Sequence, residues 1–293
     1  MEFIPAKTIV TPVKGQSWFG VDYNMNIYRG CPHGCIYCDS RSLCYKIEDF
    51  DRVRAKQDAL RIIAGDLAKK RNRGVVASGA MSDPYNPLEA EQRLTRSALE
   101  LLNARGFGAA IATKSDLVVR DIPVLQAIQA HSPVIVKMTI TAADDGLGKT
   151  VEPRAPLSSR RFAAVKALNA GGIYTGILMM PVLPFIEDTE ENITALVHAA
   201  KASGARFIYP AFGVTLRAGN REYFYEQLDK HVPGIKARYI KRYSGCYSCT
   251  SPEAKRLRTL FTAECQRLGL CYEMRDIIAG YRRGYTARQL ELF

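Results

Sequence analysis

Between Tyr28 and Cys38 the chain reads Tyr28-Arg29-Gly30-Cys31-Pro32-His33-Gly34-Cys35-Ile36-Tyr37-Cys38, three cysteines spaced C-x3-C-x2-C within eight residues. Thiolate is a soft ligand, and a loop this short wraps three sulfurs around one inorganic centre without supplying a fourth. The spacing predicts an iron–sulfur cluster with one iron left open, and an open metal position is where a substrate or cofactor coordinates. Gly30 and Gly34 permit tight turns close to the inorganic core, Pro32 stiffens the loop, and Tyr37 offers an aromatic edge beside the cluster. Two structural alternatives stand beside this reading. One is a zinc knuckle completed by Cys44, six residues after Cys38. The other is a two-cluster ferredoxin, whose C-x2-C-x2-C spacing this loop does not keep.

With an aromatic residue directly before its third cysteine, the loop resembles the motif of the radical S-adenosylmethionine (SAM) superfamily. The resemblance implies a [4Fe–4S] cluster on Cys31, Cys35 and Cys38, with SAM chelating the open iron through its amino and carboxylate groups. It implies, too, reductive cleavage of SAM to methionine and a 5′-deoxyadenosyl radical, which takes a hydrogen atom from substrate.

At 293 residues and 47% hydrophobic content, the chain can bury one α/β barrel core with an appendage. Eight cysteines, three of them in the loop, argue for a reducing compartment, because oxidation would consume the thiols a cluster needs. No charged-then-apolar leader opens the sequence, and no run approaches the ~18 apolar residues of a membrane span. The expected location is cytoplasmic, with no membrane partner. Net charge is +12, and +7 of it lies in residues 215–293, where fifteen Lys and Arg face eight Asp and Glu. Such a field favours polyanionic partners, and it equally describes a solvated basic face.

Residues 1–23 hold Pro5, Pro12, Gly15, Trp18 and Phe19 without sustained periodicity and read as an extended lead-in, with Trp18 packed within it. Apolar β-type runs then appear at 24–28, 75–80, 109–113, 134–140, 174–180 and 207–214. Helix-period segments separate them at about 52–72, 91–105, 120–131, 158–170 and 189–203. Strands alternating with helices make a parallel sheet buried on both faces. Periodicity leaves a barrel and a doubly wound sheet both open. The family resemblance selects the barrel: an α/β fold, a partial (β/α)6 TIM-type barrel over 24–214, then a mainly helical, basic C-terminal extension over 215–293.

Barrel enzymes carry their chemistry at the carboxyl ends of the strands. Ser78 and Gly79 follow the second strand, where the resemblance places the loop that grips the SAM amino group; a tight strand–helix turn is the plain alternative. Lys114 ends the third strand, and a lysine there is costly to bury without an anion, which points to the SAM carboxylate, with an exposed surface lysine as the alternative. Thr139 and Thr141, on alternating positions of the fourth strand, offer hydroxyls to the SAM ribose. Arg160 and Arg161 follow Glu152-Pro153-Arg154-Ala155-Pro156 and either grip a carboxylate of the cofactor or cap the barrel. Met179 and Met180 form an apolar rim for adenine or serve the core alone.

The order Tyr28-Arg29-Gly30-Cys31, Ser82-Asp83-Pro84, Leu94-Thr95-Arg96, Thr113-Lys114-Ser115 and Glu152-Pro153-Arg154-Ala155-Pro156 narrows the resemblance to the spore photoproduct lyase-related branch, over most of residues 24–214. The namesake of that branch repairs a crosslinked thymine dimer in DNA by hydrogen abstraction and return. This chain departs from it in three places. Ala80 stands where the lyase carries its hydrogen-donating cysteine, Asp39 stands where it carries a tyrosine, and the tail differs. Tyr37 is kept as a catalytic candidate; Cys44 is a candidate donor from another direction, or else a free buried thiol.

In the tail, 221–230 reads helical, and 236–243 interleaves basic and aromatic residues, a pattern that suits phosphate contact with base stacking or a charged edge strand. Cys246, Cys249, Cys265 and Cys271 either bind an auxiliary metal or are ordinary buried thiols. Gln289-Leu290-Glu291-Leu292-Phe293 resembles the bacterial sliding-clamp-binding motif, with folding back onto the barrel as the alternative. The function these features imply is a radical SAM enzyme acting on DNA in lesion repair or base modification, reduced by a donor such as flavodoxin or ferredoxin. The alternatives are the same chemistry on RNA, protein or a small molecule, and a non-enzymatic, metal-stabilised nucleic-acid-binding protein.

Overall fold

The computed structural model describes residues 2–14 and 18–285, so the clamp-like peptide 289–293 lies outside the described residues. The chain begins with β1 (Glu2–Ile4), β2 (Val10–Pro12), β3 (Tyr23–Met25), β4 (Tyr28–Arg29), β5 (Arg54–Lys56), α1 (Ala59–Ala68) and β6 (Val75–Ser78). It continues through α2 (Glu89–Gln92), α3 (Leu94–Ala104), β7 (Gly108–Thr113), α4 (Ile122–Gln129), β8 (Val134–Thr139), α5 (Asp145–Val151), α6 (Ser158–Ala170) and β9 (Thr175–Met179). The remainder is α7 (Glu190–Ala202), β10 (Ile208–Pro210), β11 (Gly213–Thr215), α8 (Asn220–His231), α9 (Ile235–Tyr243), β12 (Ser248–Thr250), α10 (Ala254–Leu268) and α11 (Met274–Arg282).

The main sheet has seven strands in the order β10-β9-β8-β7-β6-β3-β2, and all of its pairings are parallel except the edge pair β2–β3. Its six parallel strands with helical crossovers make the partial (β/α)6 barrel that the alternation and the resemblance implied. Local chemistry sets several boundaries: the Asp144 and Thr189 side chains accept the Leu147 and Asn192 amides at 2.8 and 3.1 Å and cap α5 and α7.

Burial on both faces of the strands follows from their apolar content. Val134, Val136 and Met138 of β8 join the core under the helices, while Ile135, facing the other way, joins a lumen core with Ala110, Phe19, Phe207, Ile277 and Tyr281. A third cluster ties the cysteine loop to the tail through Ile36, Tyr37, Phe224, Tyr239, Tyr243 and Cys249. The tail is mainly helical, and among the described residues no helix is long and apolar enough to cross a membrane.

Several local expectations change. The start of the 52–72 segment is strand β5 rather than helix, because it pairs with both β1 and β4, a tertiary demand that periodicity does not show. Trp18 is 47% exposed, and Phe19 takes the core position instead. Residues 236–243 form most of helix α9 and no edge strand. Spaced four apart, Tyr239 and Tyr243 face inward, their rings 5.6 and 6.1 Å from Phe185, so they do not present free faces for base stacking. The sequence reading missed α11, which lodges in the lumen, where the Tyr281 hydroxyl donates to the Phe19 carbonyl at 2.8 Å.

Candidate active site

The cysteine loop is held from two sides. Gly30 adopts φ +80°, and a Cβ there would sit 2.4 Å from the Arg52 carbonyl oxygen, so only glycine fits. The Cys31 amide donates to the Phe50 carbonyl at 2.8 Å, and the Ile36 amide to the Val151 carbonyl at 3.0 Å. Arg154 donates its amide to the His33 carbonyl at 3.0 Å and its Nε to the Pro32 carbonyl at 2.6 Å. The Glu-Pro-Arg-Ala-Pro stretch is therefore a brace for the loop.

A cavity of about 350 Å³ opens at the lip of the barrel, with Cys31, Cys35, Cys38, Tyr37, Gly79, Asp83, Lys114, Thr139 and Met180 among its lining residues. Below it, Glu152 and Arg161 form an ion pair at 2.5 Å, and both are almost fully buried. Glu152 also accepts the Tyr37 hydroxyl and lies 3.7 Å from Lys114 Nζ. Burial works against the Glu152 carboxylate, but Arg161, Lys114 and Tyr37 outweigh it and hold its pKa below the usual range. Asp83 is a second hub. It accepts the Thr113 hydroxyl at 2.6 Å and the Lys114 amide at 2.7 Å, and it lies 3.5 Å from His33 Nδ1. Sequence reasoning assigned roles to neither Glu152 nor Asp83; a carboxylate inside each of two Pro-containing lip motifs was the available signal.

Of the residues proposed from sequence, the structure brings the three loop cysteines, Tyr37, Gly79, Lys114 and Thr139 to one cavity. Ser78 is buried and does not line it, and Thr141 is buried beside Glu187. Arg160 lies outside the cavity on an exposed face, paired with Asp116 at 2.6 Å, while its neighbour Arg161 is buried against Glu152. Cys44 is not a buried thiol: it is exposed, outside the cavity, with Sγ 3.6 Å from Arg217 Nη1, because its short turn packs against the tail rather than into the barrel. Asp39 lines the cavity and engages Arg217 at 3.1 Å and the Tyr45 hydroxyl at 2.9 Å.

The tail cysteines do not gather into one cluster among the described residues. Cys249 packs with the cysteine loop, Cys265 in the helix-facing core and Cys271 against the lumen core, while Cys246 is exposed. Among the described residues, no three His, Cys, Asp or Glu side chains are gathered tightly enough for a single metal ion. Three thiols spaced around one cavity suit the wider span of an iron–sulfur cube, with Cys44 too far out to complete a zinc knuckle. The donor set and the adjoining cavity thus fit a cluster with a small-molecule cofactor beside it.

The family model of the radical SAM superfamily matches residues 25–197. This chain belongs to the radical SAM superfamily. Radical SAM proteins use a [4Fe–4S] cluster and SAM, and these are the cofactors of this chain. An uncharacterized protein of Mycobacterium tuberculosis is 31% identical over 228 residues, 75% of this chain and 67% of its own length. Another, from Methanocaldococcus jannaschii, is 32% identical over 190 residues, 64% of this chain and 69% of its own. A spore photoproduct lyase variant with bound AdoMet and dinucleoside spore photoproduct shares the radical SAM fold at TM-score 0.65 and 15% identity, over 87% of this chain and 76% of that one. The radical SAM methyltransferase TsrM of Kitasatospora setae, with tryptophan substrate and a SAM analogue bound, matches at TM-score 0.54 and 13% identity, over 84% of this chain and 51% of that one.

Proposed function

We propose that this radical SAM enzyme acts on DNA, in lesion repair or base modification. The observation that carries the reading is the fold shared with spore photoproduct lyase across 87% of the chain, in a structure where the lyase holds a dinucleoside photoproduct. The exposed Arg238, Lys241 and Arg242 of α9 support it, since outward cations on one helix suit a phosphate backbone.

When bound, the cluster and SAM supply a 5′-deoxyadenosyl radical that takes a hydrogen atom from substrate. The lining of the cavity supports the following roles: Cys31, Cys35 and Cys38 would hold the cluster, Gly79 and Lys114 would bind the amino acid moiety of SAM, and Thr139 would bind its ribose. Glu152 fixes both Tyr37 and Lys114 at the cavity wall. Ala80 and Asp39 favour a base modification or a different lesion over the thymine-dimer route of the lyase, because neither offers the thiol or phenol of that route and Asp39 is held by Arg217. In this reading residues 24–214 make the radical, 215–293 contact DNA, and 289–293 dock on the sliding clamp in the cytoplasm, with flavodoxin or ferredoxin as reductant.

The test is anaerobic incubation of the reconstituted enzyme with SAM, reductant and deuterated DNA, both undamaged and UV-irradiated. Deuterium in 5′-deoxyadenosine is the expected result. SAM cleavage without deuterium transfer from either DNA overturns the DNA assignment and leaves the radical chemistry standing.

A further inference from the structure

At the rim of the lip cavity, Arg217 is the centre of a cluster that joins the cysteine loop to the tail. Asp39, which follows Cys38 directly, and Thr215, at the end of β11, both line the cavity. From just past Thr215, Arg217 brings Nε to within 3.1 Å of Asp39 and donates from Nη2 to the Tyr247 hydroxyl at 2.6 Å. Its guanidinium carbon lies 4.8 Å from the centre of the Tyr247 ring and 5.9 Å from that of Tyr45. The Tyr45 hydroxyl donates to Asp39 at 2.9 Å.

The cluster is held from behind. Arg221 donates to the carbonyls of Leu216, Ser244, Gly245 and Cys246 at 2.7, 2.9, 3.0 and 2.8 Å, and the Leu216 amide donates to the Tyr247 carbonyl at 2.8 Å. From the loop side, the Leu43 amide donates to the Ala218 carbonyl at 3.0 Å. A Cβ on Gly219 would sit 2.9 Å from the Leu43 nitrogen, so the turn that carries Leu43 and Tyr45 packs directly on the tail. Yet two large side chains of this braced rim stay in solvent: Tyr247 is 50% exposed and Leu43 is 69% exposed.

The chemistry of the rim decides what it suits. Asp39 neutralises Arg217, so the rim offers an aromatic face rather than a free charge. Phosphates are better served by the exposed cations of α9, whose last turn runs into the segment carrying Tyr247. A tyrosine ring already fixed by a guanidinium stacks a nucleobase at little cost in side-chain entropy.

We propose that Tyr247, with Leu43 on the same rim, is a stacking platform that receives an unpaired base of single-stranded DNA at the mouth of the cavity. The platform rests on the DNA reading above.

The test uses the whole chain, cluster-reconstituted and SAM-loaded, under anaerobic conditions. Anisotropy of a labelled thymidine oligonucleotide at several salt concentrations gives affinity, and an oligonucleotide containing 2-aminopurine reports stacking through quenching of its emission. The expected result is that Tyr247→Ala weakens binding about fivefold or more, whereas Tyr247→Phe, which keeps the ring, stays near the wild-type value. The slope of log affinity against log salt should not change, since no phosphate contact is lost. Quenching should persist in wild type and Tyr247→Phe and disappear in Tyr247→Ala. Wild-type affinity in Tyr247→Ala, an equal loss in both variants, or a loss accompanied by a shallower salt slope overturns the platform and leaves DNA binding standing. No binding of either oligonucleotide by the wild-type protein overturns the DNA reading, and the platform with it.

Discussion

Glu152 accepts the hydroxyl of Tyr37 across 115 residues of chain, and this contact, with those of Arg154, joins the brace beneath the barrel lip to the loop that carries the cysteines. The same carboxylate neutralises Arg161 and Lys114, so two groups at the cavity wall, Tyr37 and Lys114, and the buried Arg161 depend on one charge.

Glu152→Gln keeps the shape and removes the charge, leaving Arg161 and Lys114 buried without their counterion. The expected cost is about 3–5 kcal/mol, the range for breaking a buried pair on one side. Urea denaturation of the reconstituted protein measures it, and a loss under about 1 kcal/mol contradicts the hub role. Because Tyr37 precedes Cys38 directly, iron content of the variant should fall as well.

Alanine at Cys31, Cys35 or Cys38 should abolish iron and sulfide binding. Cys44→Ala and the Cys246→Ala, Cys249→Ala pair should leave both at the wild-type level, since these thiols lie outside the cavity. Iron, zinc and sulfide analysis of anaerobic preparations decides it. Loss of metal from the tail pair would restore the auxiliary-centre reading.

Lys114→Met should weaken SAM binding by about tenfold to a hundredfold, the worth of one charge-assisted hydrogen bond, as read by equilibrium dialysis with the cluster in place. Arg160→Met, far from the cavity, should leave the same dissociation constant unchanged. An unaltered value for the lysine variant excludes Lys114 from the cofactor site.

Lys137 carries a pH signature. Its folded pKa of about 8 lies below the ordinary lysine value of 10.5, so between those values the unfolded chain binds more protons and stability gained from this group rises with pH. Below pH 8 the buried ammonium is charged, and its penalty, about 3 kcal/mol from the size of the shift, is fully present. Lys137→Met should therefore be more stable than wild type at pH 7, with the gap closing toward pH 10.5. Calorimetric unfolding of both proteins across that window checks the sign; a gap that stays constant or widens refutes it.

Charge reversal of Lys241 and Arg242 should weaken duplex DNA binding and lower the slope of log affinity against log salt by about 2. Tyr239→Phe should leave that binding unchanged, because the ring is turned into the tail core. Fluorescence anisotropy with a labelled duplex at several salt concentrations separates the two outcomes, and an unchanged slope in the double variant removes α9 from the interface.

The metal chemistry and the order of the barrel were legible in the chain because both are written in short-range spacing. Three sulfurs within eight residues leave little choice of centre, and the alternation of apolar runs with helical periods repeats every few dozen residues. The lip positions of Gly79, Lys114 and Thr139 follow from that alternation. What spacing could not show is which side chains meet across long separations. Tyr37 and Glu152, Asp83 and His33, or Tyr281 and Phe19 come together only when the sheet assembles and curls, since each pairing is a property of strand order and packing. The same holds for the choice between Arg160 and Arg161, adjacent on one helix yet turned to opposite environments, and for the aromatic–basic stretch of α9, whose tyrosines the core claimed. Sequence determined which atoms could do the chemistry. The folded barrel decided which of them share a cavity and which charge, that of Lys137, is buried without an ion-pair partner among the described residues.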